Sequence, residues 1–131
     1  MIDRIKKLST SYFNEILEIR RHLHQYPELS FNEHETSAYI KSILTKWGIP
    51  FSDGIAGTGI TVLLRGNNPE QKILALRADI DALPIQEEND VYYSSKNNGV
   101  MHACGHDVHT SSLLGTIRIL NEIKECWEGS I

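Results

Sequence analysis

Five side chains suited to metal binding lie within residues 101–109. They are three imidazoles, one thiol and one carboxylate: His102, His106, His109, Cys104 and Asp107. Thiolate and imidazole are the ligands that zinc and similar divalent metals prefer in proteins. Gly105 gives the backbone freedom to turn Cys104 and His106 toward a single ion. The cluster therefore indicates metal binding, although a lone Cys or His is more often an ordinary buried or hydrogen-bonding residue.

The start of a helix is expected close to this cluster. The positive end of a helix dipole favours the thiolate form of Cys104, which is the form that binds a metal. Asp107 has two possible roles there, as a helix cap or as a carboxylate that supports a metal ligand. A catalytic zinc takes about three protein ligands and a water. Cys104 and His106 alone are too few, so we expect further ligands from elsewhere.

A second candidate segment, residues 77–84, places Asp79 and Asp81 directly after a predicted strand. The ends of strands are where α/β proteins commonly build their sites. Asp81 could orient a metal-bound histidine by accepting its second N–H. The alternative is that both carboxylates only solvate the end of the strand, and the spacing alone leaves the two interpretations open.

Two histidines, His22 and His24, close the first predicted helix within residues 20–28. Cations suit the negative end of a helix dipole, so a helix-end role is favoured over a metal-ligand role. Nothing distinguishes His34, Glu87 and Glu88 from ordinary surface residues. The sequence contains neither a G-x-x-x-x-G-K-[ST] phosphate loop nor a G-x-S-x-G nucleophile elbow.

Hydrophobic spacing predicts the elements that must hold these residues. Apolar residues at helical intervals predict a first helix that ends before Pro27, and a third helix that begins near residues 106–109. A second helix is predicted with Asn32 as its cap, Glu35 three residues on, and a stop at Gly48. The runs 60–64 and 73–76 read as strands, and their short connection predicts an antiparallel pair. Residues 79–99 lack periodicity and predict a long functional loop.

The composition is that of a globular domain or one lobe of a larger protein. The chain has 131 residues, a net charge of −4, and 40% hydrophobic and 23% charged residues. Its charge does not suggest a nucleic-acid partner, and no apolar run suggests a signal peptide or membrane span. We expect a cytoplasmic protein whose two cysteines are free thiols or metal ligands. The last residues, 126–131, read as a turn leading into a new strand.

Three segments together resemble the M20-type metallopeptidase superfamily, in its amidohydrolase branch. They are residues 21–28 (RHLHQYPE), 77–84 (RADIDALP) and 101–110 (MHACGHDVHT). The resemblance implies an α/β fold, with residues 1–131 forming the N-terminal part of a mixed-sheet metallo-hydrolase catalytic domain flanked by helices. It implies that Cys104 and His106 bind metal in a centre of two divalent ions, zinc or manganese, and that Asp81 is the supporting carboxylate. In relatives His22 and His24 are not ligands.

The same resemblance implies the chemistry of a complete enzyme, which is hydrolysis of the amide bond of N-acyl amino acids. In the family a glutamate pair, further histidine ligands and a dimerisation lobe lie beyond the part matched here, so homodimers are expected and the isolated 131 residues are expected to be inactive. The alternative is a non-catalytic metal- or partner-binding fragment. A redox-active thiol at Cys104 is a third option.

Overall fold

Three helices pack around a small amount of β-structure in the computed structural model, which describes all residues from 1 to 131. This is the predicted α/β class. None of the helices combines the length and the apolar character that crossing a membrane requires. The elements in chain order are α1 (Ile2–Gln25), α2 (His34–Lys46), β1 (Ser52–Ile55), β2 (Gly59–Thr61), α3 (His106–Glu122) and a 3-10 turn (Lys124–Cys126).

One cluster of apolar side chains joins all three helices. α1 packs against α3, and α2 packs against the antiparallel hairpin of β1 and β2. Burial of such side chains is the main force that holds the elements together, at roughly 25 cal/mol per Å² of apolar surface. The fully buried members of the cluster are Ile19, Leu23, Ile40, Ile43, Leu44, Ile49, Leu64 and Leu114.

The helix ends agree with the sequence at three places and differ at one. α1 ends before Pro27, α3 begins at His106, and α2 ends at Lys46, followed by a turn at Gly48, whose N–H bonds the Thr45 carbonyl at 2.9 Å. The predicted Asn32 cap is wrong, because Glu33 precedes the helix and makes no side-chain cap. Instead the Glu28 carboxylate accepts the N–H groups of Glu35 and Thr36 at 3.2 and 2.7 Å.

The Glu28 carboxylate, which precedes α2, thus takes the place of the cap predicted at Asn32. A negative charge at a helix N-terminus satisfies free N–H groups and interacts favourably with the dipole. The Asn32 amide instead donates to the Ser30 carbonyl at 3.3 Å.

The predicted direct pairing of residues 60–64 with residues 73–76 is wrong. The last residues of the chain lie between the two segments. Ile131 and Leu64 exchange backbone hydrogen bonds at 2.8 and 3.0 Å, and Ser130 bonds Lys72 and Leu74 at 2.8 and 3.0 Å. Ser130 is antiparallel to Arg65 but parallel to Ile73.

Gly129 makes this insertion possible. Its φ is +89°, and a Cβ there would lie 2.6 Å from the Lys72 carbonyl oxygen. Only glycine fits both that backbone conformation and that close approach. The extended segment predicted at residues 126–131 is therefore used within this chain.

Residues 62–105 contain no helix or named strand, so the predicted long loop at 79–99 is confirmed. Leu83 and Met101 exchange two backbone hydrogen bonds of 3.0 Å, which close the loop at its base. The apolar residues Leu63, Ile73, Leu74 and Leu76 stay exposed, Ile73 at 79% of its surface. Residues 73–76 therefore have the apolar composition that is typical of a buried strand, but their side chains are exposed.

Candidate functional site

The two predicted site segments meet at Asp81, Cys104 and His106. The His106 Nδ1 lies 2.9 Å from the Asp81 carboxylate oxygen Oδ1 and 3.1 Å from the Asp81 carbonyl oxygen. The Cys104 thiol contacts the same carbonyl oxygen at 3.8 Å. The long loop and the start of α3 are thereby joined, and the thiol and the imidazole both lie against one residue.

The surroundings of the ring fix the tautomer of His106. Both groups near Nδ1 are acceptors, so Nδ1 carries the hydrogen. In a neutral imidazole the other nitrogen, Nε2, then keeps its lone pair free. The nearest carboxylate oxygen to Nε2 is Asp79 Oδ2 at 3.9 Å, beyond hydrogen-bond distance. In this tautomer Nε2 is therefore the ring nitrogen that could bind a metal.

The Asp81 carboxylate is itself held in place. The Ser30 hydroxyl donates to Oδ2, on the side opposite His106. The pKa of Asp81 lies below its ordinary value because of the Ser30 hydrogen bond first and the His106 hydrogen bond second, which together outweigh partial burial. Asp81 thus stays an acceptor near neutral pH. Asp79, by contrast, pairs with Arg77 at 2.6 Å and is more exposed.

The turn between Cys104 and His106 depends on Gly105. Its φ is +84°, in the left-handed region, and it is the residue directly before α3. Glycine adopts this conformation without the steric cost that other residues have. The chain can then present the thiol and the imidazole to the same side of Asp81 from positions two residues apart.

Asp107, the residue after His106, lies in a buried ionic cluster with Arg20, His24 and Glu87. His24 Nδ1 is 2.7 Å from Asp107 Oδ2, and His24 Nε2 is 3.0 Å from Glu87 Oε1. The guanidinium Nε of Arg20 lies 2.9 Å from Asp107 Oδ2. Asp107 has no exposed side-chain surface, and its Oδ2 pairs with α1 while its Oδ1 accepts an N–H of the first turn of α3.

Two predictions from the sequence are corrected by this cluster. Glu87 was expected at the surface, but only 2% of its side chain is exposed. His24 was expected to serve the end of α1, but its ring lies between two carboxylates from distant parts of the chain. These partners are 63 and 83 residues away from His24, so no local spacing pattern could have revealed them.

The other two histidines of the segment are placed differently. His102 is 4% exposed, and neither of its ring nitrogens has a hydrogen-bond partner. Burial lowers the pKa of His102, which favours the neutral ring. The His109 ring is exposed, with its centroid 5.7 Å from that of His106. No group of three or more His, Cys, Asp or Glu side chains in this chain is arranged to hold a metal ion.

Comparisons with known proteins place this geometry in a family. The model of peptidase family M20/M25/M40 matches residues 75–131, which include Asp81, Cys104 and His106. An N-acyl-L-amino acid amidohydrolase of Geobacillus stearothermophilus is 43% identical over 129 residues, 98% of this chain and 35% of the relative. Residues 75–131, which carry the candidate site, match the M20 family. The resemblance that the three sequence segments indicated is thereby confirmed.

Two further relatives extend the comparison. An N-acetyl-L-cysteine deacetylase of Bacillus subtilis is 49% identical over 117 residues, 89% of this chain and 28% of the relative. The crystal structure of the Bacillus subtilis YXEP protein, described as a dinuclear metal-binding peptidase of the M20 family, matches with a TM-score of 0.87. It is 40% identical, and the match covers 92% of this chain and 34% of that protein. The chain spans about a third of the length of the curated relatives it matches.

His22 lies outside the candidate site, and its ring is surrounded by aromatic side chains. Its ring stacks on Tyr39 with the centroids 3.7 Å apart. Burial first, and the positive charge of Lys96 second, lower the pKa of His22 below its ordinary value of 6.5. The unfolded chain therefore takes up a proton at this ring more readily than the folded chain does.

We expect His22 to make the fold less stable in mild acid. Stability rises with pH wherever the unfolded state binds more protons, so this contribution is lost as pH falls through about 6.5. His22→Phe keeps a ring on Tyr39 but cannot titrate, so its free energy of unfolding should fall less between neutral and mildly acidic pH. Urea unfolding across this range measures the difference. His34→Gln, at an exposed histidine, is the control. If the free energy of unfolding of His22→Phe changes with pH as steeply as that of the unaltered chain, the assignment to His22 is wrong.

Proposed function

We propose that this chain contributes to a metal-dependent amidohydrolase that cleaves the amide bond of N-acyl amino acids, releasing a carboxylate and a free amino acid. The observation that carries the proposal is that the Cys104 thiol and the His106 ring both contact Asp81, and that His106 does so through Nδ1, which leaves Nε2 without a hydrogen bond. A carboxylate behind a histidine is the arrangement that orients histidine ligands in metalloenzymes.

The donor set fits a divalent metal chemically. A thiolate and a neutral imidazole are suitable ligands for zinc, and zinc or manganese is the metal we propose. His102 adds a buried imidazole whose two nitrogens have no partner within the chain. Buried polar atoms without partners are rare, because leaving one unsatisfied costs about 1–3 kcal/mol. His102 therefore places two buried hydrogen-bonding atoms, which no protein group satisfies, in the same segment as Cys104 and His106.

The roles of the chain's residues follow from these contacts. Cys104 and His106 would hold the metal, Asp81 keeps the proton on His106 Nδ1, and Ser30 keeps Asp81 in place. The chemistry supplied by bound divalent ions would be polarisation of the amide carbonyl and activation of water. We propose two ions in the complete enzyme, with the general base and the remaining ligands in the part of the family's fold that this chain does not span.

The substrate class rests on the relatives. Two of them are named for removal of an acyl group from an amino acid, one from N-acyl-L-amino acids and one from N-acetyl-L-cysteine. Both reactions break the same type of bond. We therefore propose N-acyl amino acids as the substrate class of the complete enzyme.

A chimaera tests this function. In it, residues 1–131 replace the matching region of the Geobacillus stearothermophilus amidohydrolase. We expect zinc- or manganese-dependent release of amino acids from a panel of N-acyl amino acids, and loss of release on chelation. Cys104→Ser should lower kcat/KM by at least about a hundredfold, because loss of even a ligand's supporting partner costs about 10–100-fold.

The controls separate a failed fold from a failed function. Cys126→Ser removes the other, exposed cysteine and should leave the rate of the chimaera unchanged. The 131-residue chain alone should release no amino acid, because the absence of a general base alone costs about 10²–10⁴ in rate. A folded chimaera that hydrolyses none of the substrates, or one whose rate Cys104→Ser does not change, would overturn the proposal.

A further inference from the structure

His24 is one of the most deeply buried polar residues, and the proposed metal site gives it no role. His24 is 4% exposed and lies in the last turn of α1. Both ring nitrogens face carboxylates, Asp107 at 2.7 Å and Glu87 at 3.0 Å. The ring therefore bridges two carboxylates that lie on different segments of the chain.

The cluster combines two carboxylates, Asp107 and Glu87, with the Arg20 guanidinium and the His24 imidazole. The Arg20 guanidinium lies 3.3 Å from His24 Nδ1, farther than the Asp107 carboxylate, and pairs with that same carboxylate. Buried charges persist in proteins when they are paired in this way. Removing one partner leaves an uncompensated charge, so each member depends on the others.

On one side the cluster reaches the proposed ligands. Asp107 follows His106 directly, and its carboxylate is completely buried against His24. Its other oxygen, Oδ1, accepts the Val108 N–H at 2.9 Å. The first turn of α3, which carries His106, is thus tied to the end of α1 through a single carboxylate.

On the other side the cluster fixes the loop that precedes the site. Glu87 accepts the Ser95 N–H at 2.6 Å as well as the contact from His24. The Tyr93 ring meets the His24 ring edge-on, with centroids 5.7 Å apart. The Lys96 N–H bonds the Gln25 carbonyl at 2.8 Å. The end of α1 therefore supports both the loop and the helix between which residues 101–106 are held.

We propose that His24 is a positioning residue for the metal site, acting through Asp107 on the orientation of His106. This inference rests on the proposed function, since it assumes that Cys104 and His106 bind a metal. A histidine that only stabilised the fold would affect unfolding but not metal affinity. A positioning histidine affects the metal affinity of chains that remain folded.

Two amide substitutions separate the contacts of the ring. His24→Asn places an amide where Nδ1 lies, and so can still donate to Asp107. His24→Gln places the amide where Nε2 lies, and so can donate to Glu87 but not to Asp107. We expect His24→Gln to lower the affinity of the 131-residue chain for Co²⁺ by about tenfold, the low end of the range for partners of metal ligands. His24→Asn should lower it by less than about threefold, since the Asp107 contact survives.

The probe is Co²⁺ itself, titrated while the thiolate-to-cobalt charge-transfer band is recorded, with circular dichroism to show that each variant is folded. Equal affinities of His24→Gln and the unaltered chain would overturn the inference. If the unaltered chain shows no thiolate band, the same titration is made on the chimaera, in which the remaining ligands are present, and the absence of a band there overturns the proposed metal site and this inference with it. Should His24→Gln not fold, Asp107→Asn carries the test. This substitution keeps the size of the side chain and is expected to lower the affinity for Co²⁺ about tenfold. An unchanged Co²⁺ affinity would overturn the inference.

Discussion

Cys104→Ser is expected to lower the affinity of the chain for Co²⁺ by at least about a hundredfold and to abolish the thiolate-to-cobalt band. Serine keeps the size of the side chain but replaces a soft thiolate with a neutral hydroxyl, which is a poor ligand for such metals. Loss of a ligand should exceed the about 10–100-fold cost of losing a ligand's supporting partner. A spectroscopic titration of purified protein measures both quantities.

Cys126→Ser provides the matched control for this substitution. Cys126 is the other free cysteine, and it is exposed with its thiol 3.5 Å from the Arg4 guanidinium. We expect its loss to leave the Co²⁺ affinity and the band unchanged. If instead Cys126→Ser removes the band and Cys104→Ser retains it, the assignment of Cys104 is wrong.

Leu44→Ala is expected to have the largest effect on stability. Leu44 is 1% exposed and lies at the centre of the core formed by α1, α2 and α3. Truncating a buried leucine removes apolar contacts and leaves a cavity, which costs about 2–5 kcal/mol. Urea unfolding followed by circular dichroism gives the change in the free energy of unfolding.

Leu63→Ala is the same chemical change at an exposed position. Leu63 has 52% of its surface exposed, one residue before buried Leu64. We expect a loss within about 0.5 kcal/mol there, as for most surface substitutions. Comparable losses at Leu63 and Leu44 would mean that the core does not lie where the structure places it.

The helices could be predicted from the sequence because their signals are local. Apolar spacing, Pro27 and Gly48 identify α1 and the end of α2 within a few residues of chain. The start of α2 could not be predicted in the same way. Glu28 satisfies the first N–H groups of α2 from outside the helix, so a tertiary contact replaced the local cap that Asn32 suggested.

The strand pairing failed for a similar reason. Residues 60–64 and 73–76 have strand composition and a short connection, which favours direct pairing. Nothing local to them reveals that Ser130 and Ile131 lie between them. The insertion depends on Gly129, whose close contact with the Lys72 carbonyl is a feature of the folded chain. Pairing between segments about 60 residues apart is a property of the tertiary structure.

The residues of the candidate site show the same difference between local sequence signals and tertiary contacts. Cys104, His106 and Asp81 could be singled out because residue types with a preference for metals cluster in short segments. Glu87 gave no such signal, since its significance comes from His24 across the fold. Asp107 could be placed near the site from the sequence, but its partners Arg20 and His24 could not. Candidate residues that cluster in one short segment can be found in the sequence, whereas contacts between distant segments are visible only in the structure.

X-ray absorption of the zinc-loaded chain tests the central claim most directly, which is that Cys104 and His106 hold the same metal ion. The account predicts one sulfur scatterer at about 2.3 Å together with nitrogen or oxygen scatterers at about 2.0–2.1 Å. It also predicts loss of the sulfur scatterer in Cys104→Ser, and loss of the imidazole signal in His106→Ala. A zinc ion surrounded only by nitrogen and oxygen, or a sulfur signal that persists in Cys104→Ser, would contradict it.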